Sequence, residues 1–365
     1  MGKKTRVGIL FGGRSAEHEV SLASARNIVG AIDRSKYDVV LLCIDKEGRW
    51  GSIDDPGFFD AFPQGSTIRL PESYHTLFLS PCPSEGVFLY DPEGRHIGQI
   101  DVIFPVLHGT FGEDGTVQGL LQLSQVPFVG SGVLASATTM DKDVMKRILR
   151  DAGIPVARFT VFEWHQKDSI DIDEMRDALG LPLFVKPANL GSSVGINKVN
   201  NRKEFGRAVE EAFLYDGKII IEEFIEGREI ECSVLGNEDP SASVPGEVIP
   251  KHEFYSYDAK YVDKDGALLK IPADLSKTQT KRVQELAVKS FQALCCDGMA
   301  RVDLFLRTDG TVIVNELNTL PGFTQISMYP KLWEASGISQ TELIDRLIRL
   351  AIERAEREKG LRRSY

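Results

Sequence analysis

A turn signal between two runs of β-forming residues constrains this chain more than any other feature. Asp309-Gly310 lies between Arg301-Val302-Asp303 and Asn315-Glu316-Leu317-Asn318, and Asp-Gly in such a place favours a two-residue β-hairpin turn. With this turn, Asp303 pairs with Glu316 and Arg301 pairs with Asn318. Because side chains two residues apart on a strand share a face, all four are predicted to project from one side of the sheet.

The chemistry of this face predicts a metal site. Two carboxylates and a carboxamide repel one another unless positive charge lies among them, and hard oxygen ligands of this kind suit Mg²⁺. The predicted metal ligands are Asp303, Glu316 and Asn318. The alternative is a solvated hairpin with one cross-strand salt bridge. We interpret the hairpin as a magnesium-nucleotide site.

Length and charge narrow the class of protein. A chain of 365 residues is too long for one ordinary core and predicts two or three domains. The 43 basic and 53 acidic residues give a net charge of −10, which argues against nucleic acid as a partner.

The cysteines and the apolar runs predict a cytoplasmic protein. None of the five cysteines forms a Cys-x-x-Cys pair, which is typical of structural thiols in a reducing compartment; they are Cys43, Cys82, Cys232, Cys295 and Cys296. The apolar run after Lys3-Lys4 ends at Gly12-Gly13, which is short for a signal peptide. No apolar stretch reaches the length of a membrane span, so we expect no membrane partner.

The order of the elements predicts the fold class. Strands at Val7–Phe11, Val39–Ile44 and Asp101–Leu107 with a helix at Glu19–Ala31 follow the rhythm of a parallel sheet, so residues 1–138 are predicted to form an α/β domain. Pro, Gly and Ser are frequent over 54–98, which we treat as an elaborated connection. Residues 139–235 predict a small α+β domain, and residues 236–365 predict a third domain with antiparallel strands, the hairpin and a C-terminal helix from Gln340.

A glycine-rich loop over 191–195 predicts a phosphate-binding flap. The segment matches the Gly-x-Ser-x-Gly pattern of a hydrolase nucleophile elbow, but an elbow leads into a helix, whereas here Ile196–Val199 leaves as a strand. A strand–loop–strand with small residues suits backbone N–H groups that contact phosphate; a plain turn is the alternative. Beside such a flap, Lys142 and Lys186 become candidates for phosphate contacts rather than surface lysines.

Three acidic positions remain open on local sequence alone. Glu222 and Glu223 end a strand, where they either accept from adenine or ribose or simply form its polar end. Glu17 follows the first glycine turn; it is either a favourable acid at a helix start or a ligand at the carboxyl end of the first strand. The chain contains no P-loop motif, and Gly12-Gly13-Arg14 lacks the spaced glycines of a dinucleotide fingerprint, which disfavours a nicotinamide enzyme.

Taken together, these segments resemble the D-alanine–D-alanine ligases of the ATP-grasp superfamily. The resemblance spans nearly the whole chain, and its length is that of the longer bacterial form. It is carried by Phe11-Gly-Gly-Arg-Ser-Ala-Glu-His-Glu-Val-Ser21, His108-Gly-Thr-Phe-Gly-Glu-Asp-Gly115, Met140-Asp-Lys142, Lys186-Pro, Gly191-Ser-Ser-Val-Gly195, Lys260-Tyr261, Arg301-Val-Asp303 and Glu316-Leu-Asn-Thr-Leu-Pro-Gly322.

The resemblance implies a fold and a reaction. It implies three domains in the ATP-grasp arrangement, with ATP held between the second and the third. Two D-alanines and ATP would give the dipeptide, ADP and phosphate for peptidoglycan synthesis, through an acyl phosphate. It also suggests a homodimer.

The resemblance also implies nucleotide and metal contacts. Lys142 and Lys186 would contact phosphates, and Glu222 and Glu229 would lie around adenine and ribose. The three hairpin ligands would hold two Mg²⁺ ions, for which Mn²⁺ would substitute, with Glu316 bridging.

The implied substrate contacts come from several segments. Glu17 would bind the ammonium of the first D-alanine, and Ser327 would meet the carboxylate of the second. Arg301 and the Gly322 N–H would face the developing oxyanion. Ser192 and Tyr261 would link the substrate site to a closing lid, predicted at 255–269.

Two other functions remain as alternatives. One is an ATP-grasp ligase for other amines or hydroxy acids; Tyr261 favours the dipeptide, because relatives that make D-alanyl-D-lactate lack tyrosine there. The other is a catalytically silent nucleotide-binding regulator, which would be expected to lack Arg301 or a metal carboxylate.

Overall fold

The first part of the chain forms a mixed sheet covered by helices. The computed structural model describes residues 3–55, 57–63, 66–71, 74–79, 87–90, 96–192, 194–250 and 267–362. The elements up to residue 140 are β1 Thr5–Gly12, α1 His18–Ala31, β2 Tyr37–Ile44, β3 Trp50–Ile53, a 3₁₀ turn Phe58–Ala61, β4 His75–Thr76, β5 Phe78–Leu79, β6 Val87–Tyr90, β7 His96–Ile100, β8 Val102–Leu107, α2 Thr116–Leu123 and α3 Val133–Met140.

The predicted parallel strands form the centre of this sheet. β1 lies between β2 and β8 and is parallel to both. β3 and β4 extend the sheet in antiparallel fashion beyond β2. Side chains of β1 are buried on both faces, as expected for a central parallel strand covered by helices.

The predicted connection over 54–98 contains strands of its own. Within its described residues, β5, β6 and β7 pair as a small antiparallel sheet. The Pro and Gly content of this region hid the strands from the sequence pattern, because strands of two to five residues show little periodicity.

The middle part forms an antiparallel sheet with helices on one side. Its elements are α4 Lys142–Asp151, β9 Phe159–Glu163, a 3₁₀ turn Trp164–Ser169, α5 Ile172–Leu179, β10 Leu183–Pro187, β11 Asn197–Val199, α6 Arg202–Tyr215 and β12 Lys218–Glu223. The strand order is β11-β10-β12-β9, and apolar side chains of α5 and α6 pack on the sheet as one cluster.

The last part contains the predicted hairpin in a larger antiparallel sheet. The elements are β13 Arg228–Gly236, β14 Ser241–Ala242, β15 Gly246–Pro250, β16 Ala267–Lys270, α7 Lys277–Ala293, β17 Gly298–Leu306, β18 Val312–Asn318, α8 Met328–Ala335 and α9 Gln340–Lys359. The strand order is β16-β15-β13-β17-β18, and β14 pairs with β13. Throughout the described ranges, no helix combines the length and the apolar character that a membrane crossing requires.

The hairpin has the predicted pairing, but the predicted two-residue turn is wrong. Asp303 pairs with Glu316 and Arg301 with Asn318. At the tip, Arg307 donates its N–H to the Thr311 carbonyl at 2.9 Å, so the loop contains three residues and ends on a left-handed Gly310 with φ of 85°, as three-residue hairpin loops commonly do. A bulge after Asp303 shifts the register back by one residue, so the two offsets cancel.

The two C-terminal helices pack on the first sheet. One apolar cluster contains Phe11 and Phe104 of that sheet together with Phe323, Trp333 and Leu347. The rings of Phe104 and Phe323 meet edge to face at 5.9 Å. The sequence predicted α9 but missed α8, a helix of eight residues. Because the first sheet and the end of the chain share a core, the loop between β18 and α8, which contains Phe323, is held against the first domain.

Sheet membership bears on the predicted domain boundaries. The boundary after 138 falls inside α3, and the boundary after 235 falls inside β13. β13 pairs with β15 and β17 of the last sheet. The division into 1–138, 139–235 and 236–365 stays a prediction, and sheet membership favours moving its second boundary to between β12 and β13.

Arg354 of α9 is expected to be a main link between the first domain and the C-terminal helix. It is 4% exposed, donates to the carbonyls of Gly130 and Phe128, and lies 4.4 Å from the centre of the Phe128 ring. Arg354→Met should lower the free energy of unfolding by about 3 kcal/mol, because two carbonyls lose a charged donor. Urea denaturation measures this loss.

Arg346 of the same helix provides the matched control. It forms an exposed ion pair with Glu342 at 2.6 Å, and such pairs contribute about 0.5 kcal/mol. Equal losses of unfolding free energy in Arg354→Met and Arg346→Met would contradict the role given to Arg354.

Candidate active site

Three neighbouring strands bring acidic side chains into one row. Glu231 of β13 is paired with Asp303 of β17, which is paired with Glu316 of β18. Residues opposite each other in adjacent strands project from the same face. Glu231 therefore lies on the same face as the predicted ligands; the sequence did not point to it because its strand is distant in the chain from the hairpin.

Arg301 supplies positive charge to this row. Its Nε and Nη2 donate to the two carboxylate oxygens of Asp303 at 2.7 Å each, and its Nε lies 3.0 Å from Glu231. Burial alone would lower the pKa of the Arg301 guanidinium, but Asp303 and Glu231 raise it well above its ordinary value. The guanidinium is therefore a fixed cation, aimed along the face where the metal ligands project.

The donor set suits a hard divalent cation. Asp303 and Glu316 offer carboxylate oxygens, while the Asn318 Oδ1 accepts the Leu320 N–H at 3.0 Å, which orients the carboxamide. Oxygen donors of this kind fit Mg²⁺. No cluster of three or more His, Cys, Asp or Glu side chains suited to a metal occurs within the described residues; the predicted set has two carboxylates and an amide.

A buried group of lysines surrounds one carboxylate in the middle domain. Glu222 receives Lys186 at 2.6 Å and Lys146 at 3.0 Å. Lys146 is 1% exposed, and its Nζ also lies 3.4 Å from the Asn315 carbonyl in the hairpin bulge. The sequence reading missed Lys146, although its position one helical turn after Lys142 is a signal for a shared face.

Electrostatics ties the lysine group to the hairpin. Burial would raise the pKa of Glu222, but Lys146 and Lys186 outweigh it and lower it to about 2. Burial lowers the pKa of Lys142 and of Lys146, while the nearby Glu316 and Glu222 oppose that shift for each. The charge of Glu316 acts on the pKa of both lysines. Lys142 and Lys146 therefore lie close enough to the predicted metal ligands to act on the same anionic ligand.

The glycine-rich loop reaches across to the first domain. The Ser192 hydroxyl, on a residue with φ of 51°, donates to the Glu17 carboxylate. Lys142 holds the base of the loop, since its N–H donates to the Ala188 carbonyl at 3.0 Å and its Nζ to Leu190. The loop joins two antiparallel strands, β10 and β11, so a nucleophile elbow is excluded.

Glu17 lies among the loops that follow β1 and β8. It is 7% exposed, and its N–H donates to Ser15, whose hydroxyl donates to the His108 carbonyl at 2.7 Å. Glu113 accepts the Gly109 N–H at 2.7 Å, and its burial and the charge of Glu17 raise its pKa well above the ordinary value. Sequence reasoning gave Glu113 no role.

The predicted oxyanion and second-substrate residues are neighbours. A Cβ added to Gly322 would lie 2.8 Å from the Ser327 Oγ, so the Ser327 hydroxyl lies close against the Gly322 backbone. The Ser327 Oγ accepts the Thr324 N–H at 2.9 Å and lies just before α8.

Three other predicted residues have different surroundings. Glu223 turns away from its neighbour Glu222 and binds Arg158, whose Nε donates at 2.8 Å, which indicates a structural ion pair. Glu229 is paired with Phe305, two residues before Glu231 on the same face. Tyr261 and residues 255–266 of the predicted lid lie outside the described residues.

Glu222 is expected to give the protein a distinct acid sensitivity. A carboxylate whose pKa falls from 4.5 to about 2 on folding contributes stability that is present above pH 4.5 and lost as the pH falls through about 2. That contribution is on the order of 3 kcal/mol. The difference in unfolding free energy between wild type and Glu222→Gln should therefore become smaller as the pH falls from 4.5 to about 2. Urea denaturation at a series of pH values measures this difference.

A second substitution tests the cause of that effect. Glu222→Gln leaves two buried ammoniums without their counter-charge, so adding Lys146→Met should restore part of the lost stability. A difference that does not change between pH 4.5 and 2 would rule out this role of Glu222.

Comparisons with known proteins assign the chain to a family. The family model described as D-ala D-ala ligase N-terminus matches residues 6–131, and the model described as D-ala D-ala ligase C-terminus matches residues 148–349. The D-alanine--D-alanine ligase of Oceanobacillus iheyensis is 52% identical over 361 residues, 99% of each chain. D-alanine--D-alanine ligase A of Escherichia coli K12 is 51% identical over 360 residues, again 99% of each chain.

Solved structures share the whole fold. The D-alanine-D-alanine ligase from Coxiella burnetii superposes with a TM-score of 0.86 at 40% identity, covering 98% of this chain and 97% of that one. The VanG D-Ala:D-Ser ligase from Enterococcus faecalis gives 0.84 at 34% identity, covering 96% and 100%. The predicted ATP-grasp architecture is confirmed. The chain belongs to the D-alanine–D-alanine ligase family.

Proposed function

We propose how the residues of this site divide the work of the family reaction. The chain joins two molecules of D-alanine at the expense of ATP, for peptidoglycan synthesis. A carboxylate is a poor electrophile, so ATP first converts the carboxylate of one D-alanine to an acyl phosphate with release of ADP. The amine of the second D-alanine then attacks the acyl carbon, and phosphate leaves.

In the first step, the chain must bring several negative groups together. Lys142 and Lys186 neutralise phosphate oxygens, and Glu222 and Glu229 lie around the base and ribose. Asp303, Glu316 and Asn318 would hold two Mg²⁺ ions, with Mn²⁺ as a substitute, and these ions would offset charge on the phosphates. Two observations support this placement: the hydrogen bond that orients Asn318, and the effect of the Glu316 charge on the pKa of Lys142.

Glu17 binds the ammonium group of the first D-alanine. Its burial beside the loops after β1 and β8 gives a carboxylate at the carboxyl end of parallel strands, where α/β sheets bind ligands. The Ser192 hydrogen bond to Glu17 connects this subsite to the phosphate flap. Closure of the flap over ATP therefore also fixes the first substrate.

In the second step, negative charge grows on the acyl oxygen. Arg301 and the Gly322 N–H face that oxygen, and Ser327 meets the carboxylate of the second D-alanine. Groups fixed before the reaction stabilise such charge at little cost in reorganisation. The two hydrogen bonds from Arg301 to Asp303 provide that fixation, and they are the observation that carries the proposal.

The acyl phosphate must be protected from water. The segment 255–269 is proposed as the lid. Tyr261 within it favours the dipeptide over D-alanyl-D-lactate, because relatives that make D-alanyl-D-lactate lack tyrosine at that position. We place the reaction in the cytoplasm. The free thiols of Cys43, Cys232, Cys295 and Cys296 fit a reducing compartment.

Arg301→Ala should abolish dipeptide formation while ATP still binds. Loss of an oxyanion-stabilising donor typically lowers kcat about 100-fold or more. Chromatography of the products with D-alanine, ATP and Mg²⁺ measures the dipeptide, and isothermal titration measures nucleotide binding. Near-normal turnover in the variant would refute the oxyanion role.

The same assay tests the reaction itself. Wild-type enzyme should release phosphate with D-alanine and form the dipeptide in a panel that also contains D-serine and D-lactate. Activity confined to a D-hydroxy acid would instead assign the chain to a different ATP-grasp specificity. Activity that did not depend on a divalent cation would contradict the metal site proposed at Asp303, Glu316 and Asn318.

We further propose that the protein forms a homodimer through α2 and α3. These helices pack against each other and expose large apolar side chains, with Leu123 73% and Leu134 63% accessible. Neighbouring exposed apolar residues of this size are typical of surfaces between subunits.

Leu123→Glu together with Leu134→Glu should convert the dimer to a monomer, because two charges would lie in an apolar contact. Light scattering after size-exclusion chromatography measures the mass. Leu214→Glu on α6, where Leu214 is 80% exposed, is the control and should leave the dimer intact. A dimer that survives the double substitution would exclude this surface.

A further inference from the structure

We propose that Ser24 and Asn27 of α1 are positioning residues for the Gly322 N–H. They belong to the first domain, whereas Gly322 belongs to the loop after β18. This inference rests on the proposed oxyanion role of Gly322. It assigns to the first domain a part in the chemical step that is separate from substrate binding by Glu17.

The side chains of Ser24 and Asn27 bind the backbone N–H and the backbone carbonyl of one residue, Phe323. The Phe323 N–H donates to the Ser24 Oγ at 3.1 Å, and the Asn27 Nδ2 donates to the Phe323 carbonyl at 2.9 Å. Phe323 follows Gly322 directly. The direction of the chain leaving Gly322 is therefore fixed by α1.

His108 holds the chain on the other side of Gly322. Its Nδ1 lies 3.1 Å from the Leu320 carbonyl, and because a carbonyl oxygen only accepts, Nδ1 must carry the hydrogen. In the neutral ring Nε2 then accepts, so the Ser24 hydroxyl, at 3.2 Å, donates to it. The remaining lone pairs of the Ser24 Oγ face the Phe323 N–H, so each hydrogen in the chain has one possible direction.

The arrangement is buried and leaves the loop little freedom. Ser24 is fully buried, and Phe323 and Leu320 are 1% and 2% exposed. A buried network in which every donor and acceptor is matched fixes its members strongly. An oxyanion donor needs such fixation, because its effect depends on a hydrogen-bond distance of about 3 Å to the reacting oxygen.

Loss of this network has a step-selective consequence. Transfer of the γ-phosphoryl group to D-alanine does not need the Gly322 N–H, whereas attack on the acyl carbon does. With a misplaced N–H, the acyl phosphate persists longer before the amine attacks, and water can instead attack its phosphorus, a step that places no new charge on the acyl oxygen. The bond between phosphorus and the acyl oxygen then breaks, D-alanine and phosphate leave, and ATP is consumed without dipeptide.

The test compares Ser24→Ala and Asn27→Asp with Ser21→Ala in the full-length enzyme. Asn27→Asp keeps the size of the side chain but replaces the donor by an acceptor, and Asn27 is only half-buried, so it remains informative if Ser24→Ala folds poorly. Ser21 is a matched control, because it is a fully buried serine of α1 that accepts from Gly12 and donates to Val106 without touching the Gly322 loop.

Two measurements separate positioning from general destabilisation. The first is the ratio of dipeptide formed to ADP released, together with kcat and the KM for ATP. The second is hydrogen–deuterium exchange of the segment 320–326. Ser24→Ala and Asn27→Asp should lower kcat for dipeptide on the order of tenfold, lower the ratio, leave the KM for ATP unchanged and speed exchange; Ser21→Ala should change neither the ratio nor the exchange.

The outcomes are distinguishable. The proposal would be overturned if Ser24→Ala and Asn27→Asp both kept the wild-type ratio of dipeptide to ADP and the wild-type exchange rate of the segment 320–326. An equal change of these two quantities in Ser21→Ala would also overturn it. Wild-type enzyme that forms no dipeptide would refute the reaction itself and with it the proposal. Arg301→Ala could form dipeptide slowly while Ser24→Ala and Asn27→Asp keep the wild-type ratio of dipeptide to ADP. That result would leave the oxyanion role of Arg301 in place and remove only the positioning role of α1.

Discussion

One guanidinium among carboxylates makes the charged face of the last sheet possible. Glu231, Asp303 and Glu316 occupy consecutive positions across three strands, and without Arg301 their like charges would oppose the pairing of those strands. The bidentate bond to Asp303 and the contact with Glu231 offset that repulsion. The same contacts hold the cation rigidly, and the oxyanion role proposed for Arg301 requires such a fixed cation.

The site is assembled from parts that are distant in sequence, and each part contributes a different function. Loops of the first sheet present Glu17, the middle domain supplies buried lysines, and the last sheet supplies the acidic face. Direct contacts join them: Ser192 bonds Glu17, and Lys146 lies 3.4 Å from the Asn315 carbonyl.

Local patterns in the sequence predicted the elements and much of the site, while long-range pairing set the limits. The predicted hairpin pairs Asp303–Glu316 and Arg301–Asn318 are correct because the bulge cancels the offset of the three-residue loop. Asp141, Asn201 and Ser276 cap α4, α6 and α7 through side-chain hydrogen bonds, as their residue types favour. Glu231 and Lys146 were missed because their partners come from other strands and domains. The nucleotide contact of Glu223 stays a prediction, and alternation along β12 directs its carboxylate toward Arg158. The surroundings of Glu222 beside it depend on lysines that no local sequence pattern joins to it.

The bulge in the hairpin separates the tip from the charged end. A three-residue loop displaces the strands by one position near Gly310, and the extra residue at Asn315 removes that displacement before Asp303 and Glu316 are reached. The register at the solvent-exposed tip therefore differs by one residue from the register at the paired carboxylates of the same two strands. The Asn315 carbonyl lies 3.4 Å from the Lys146 Nζ, so the residue that restores the pairing also gives the middle domain a point of attachment.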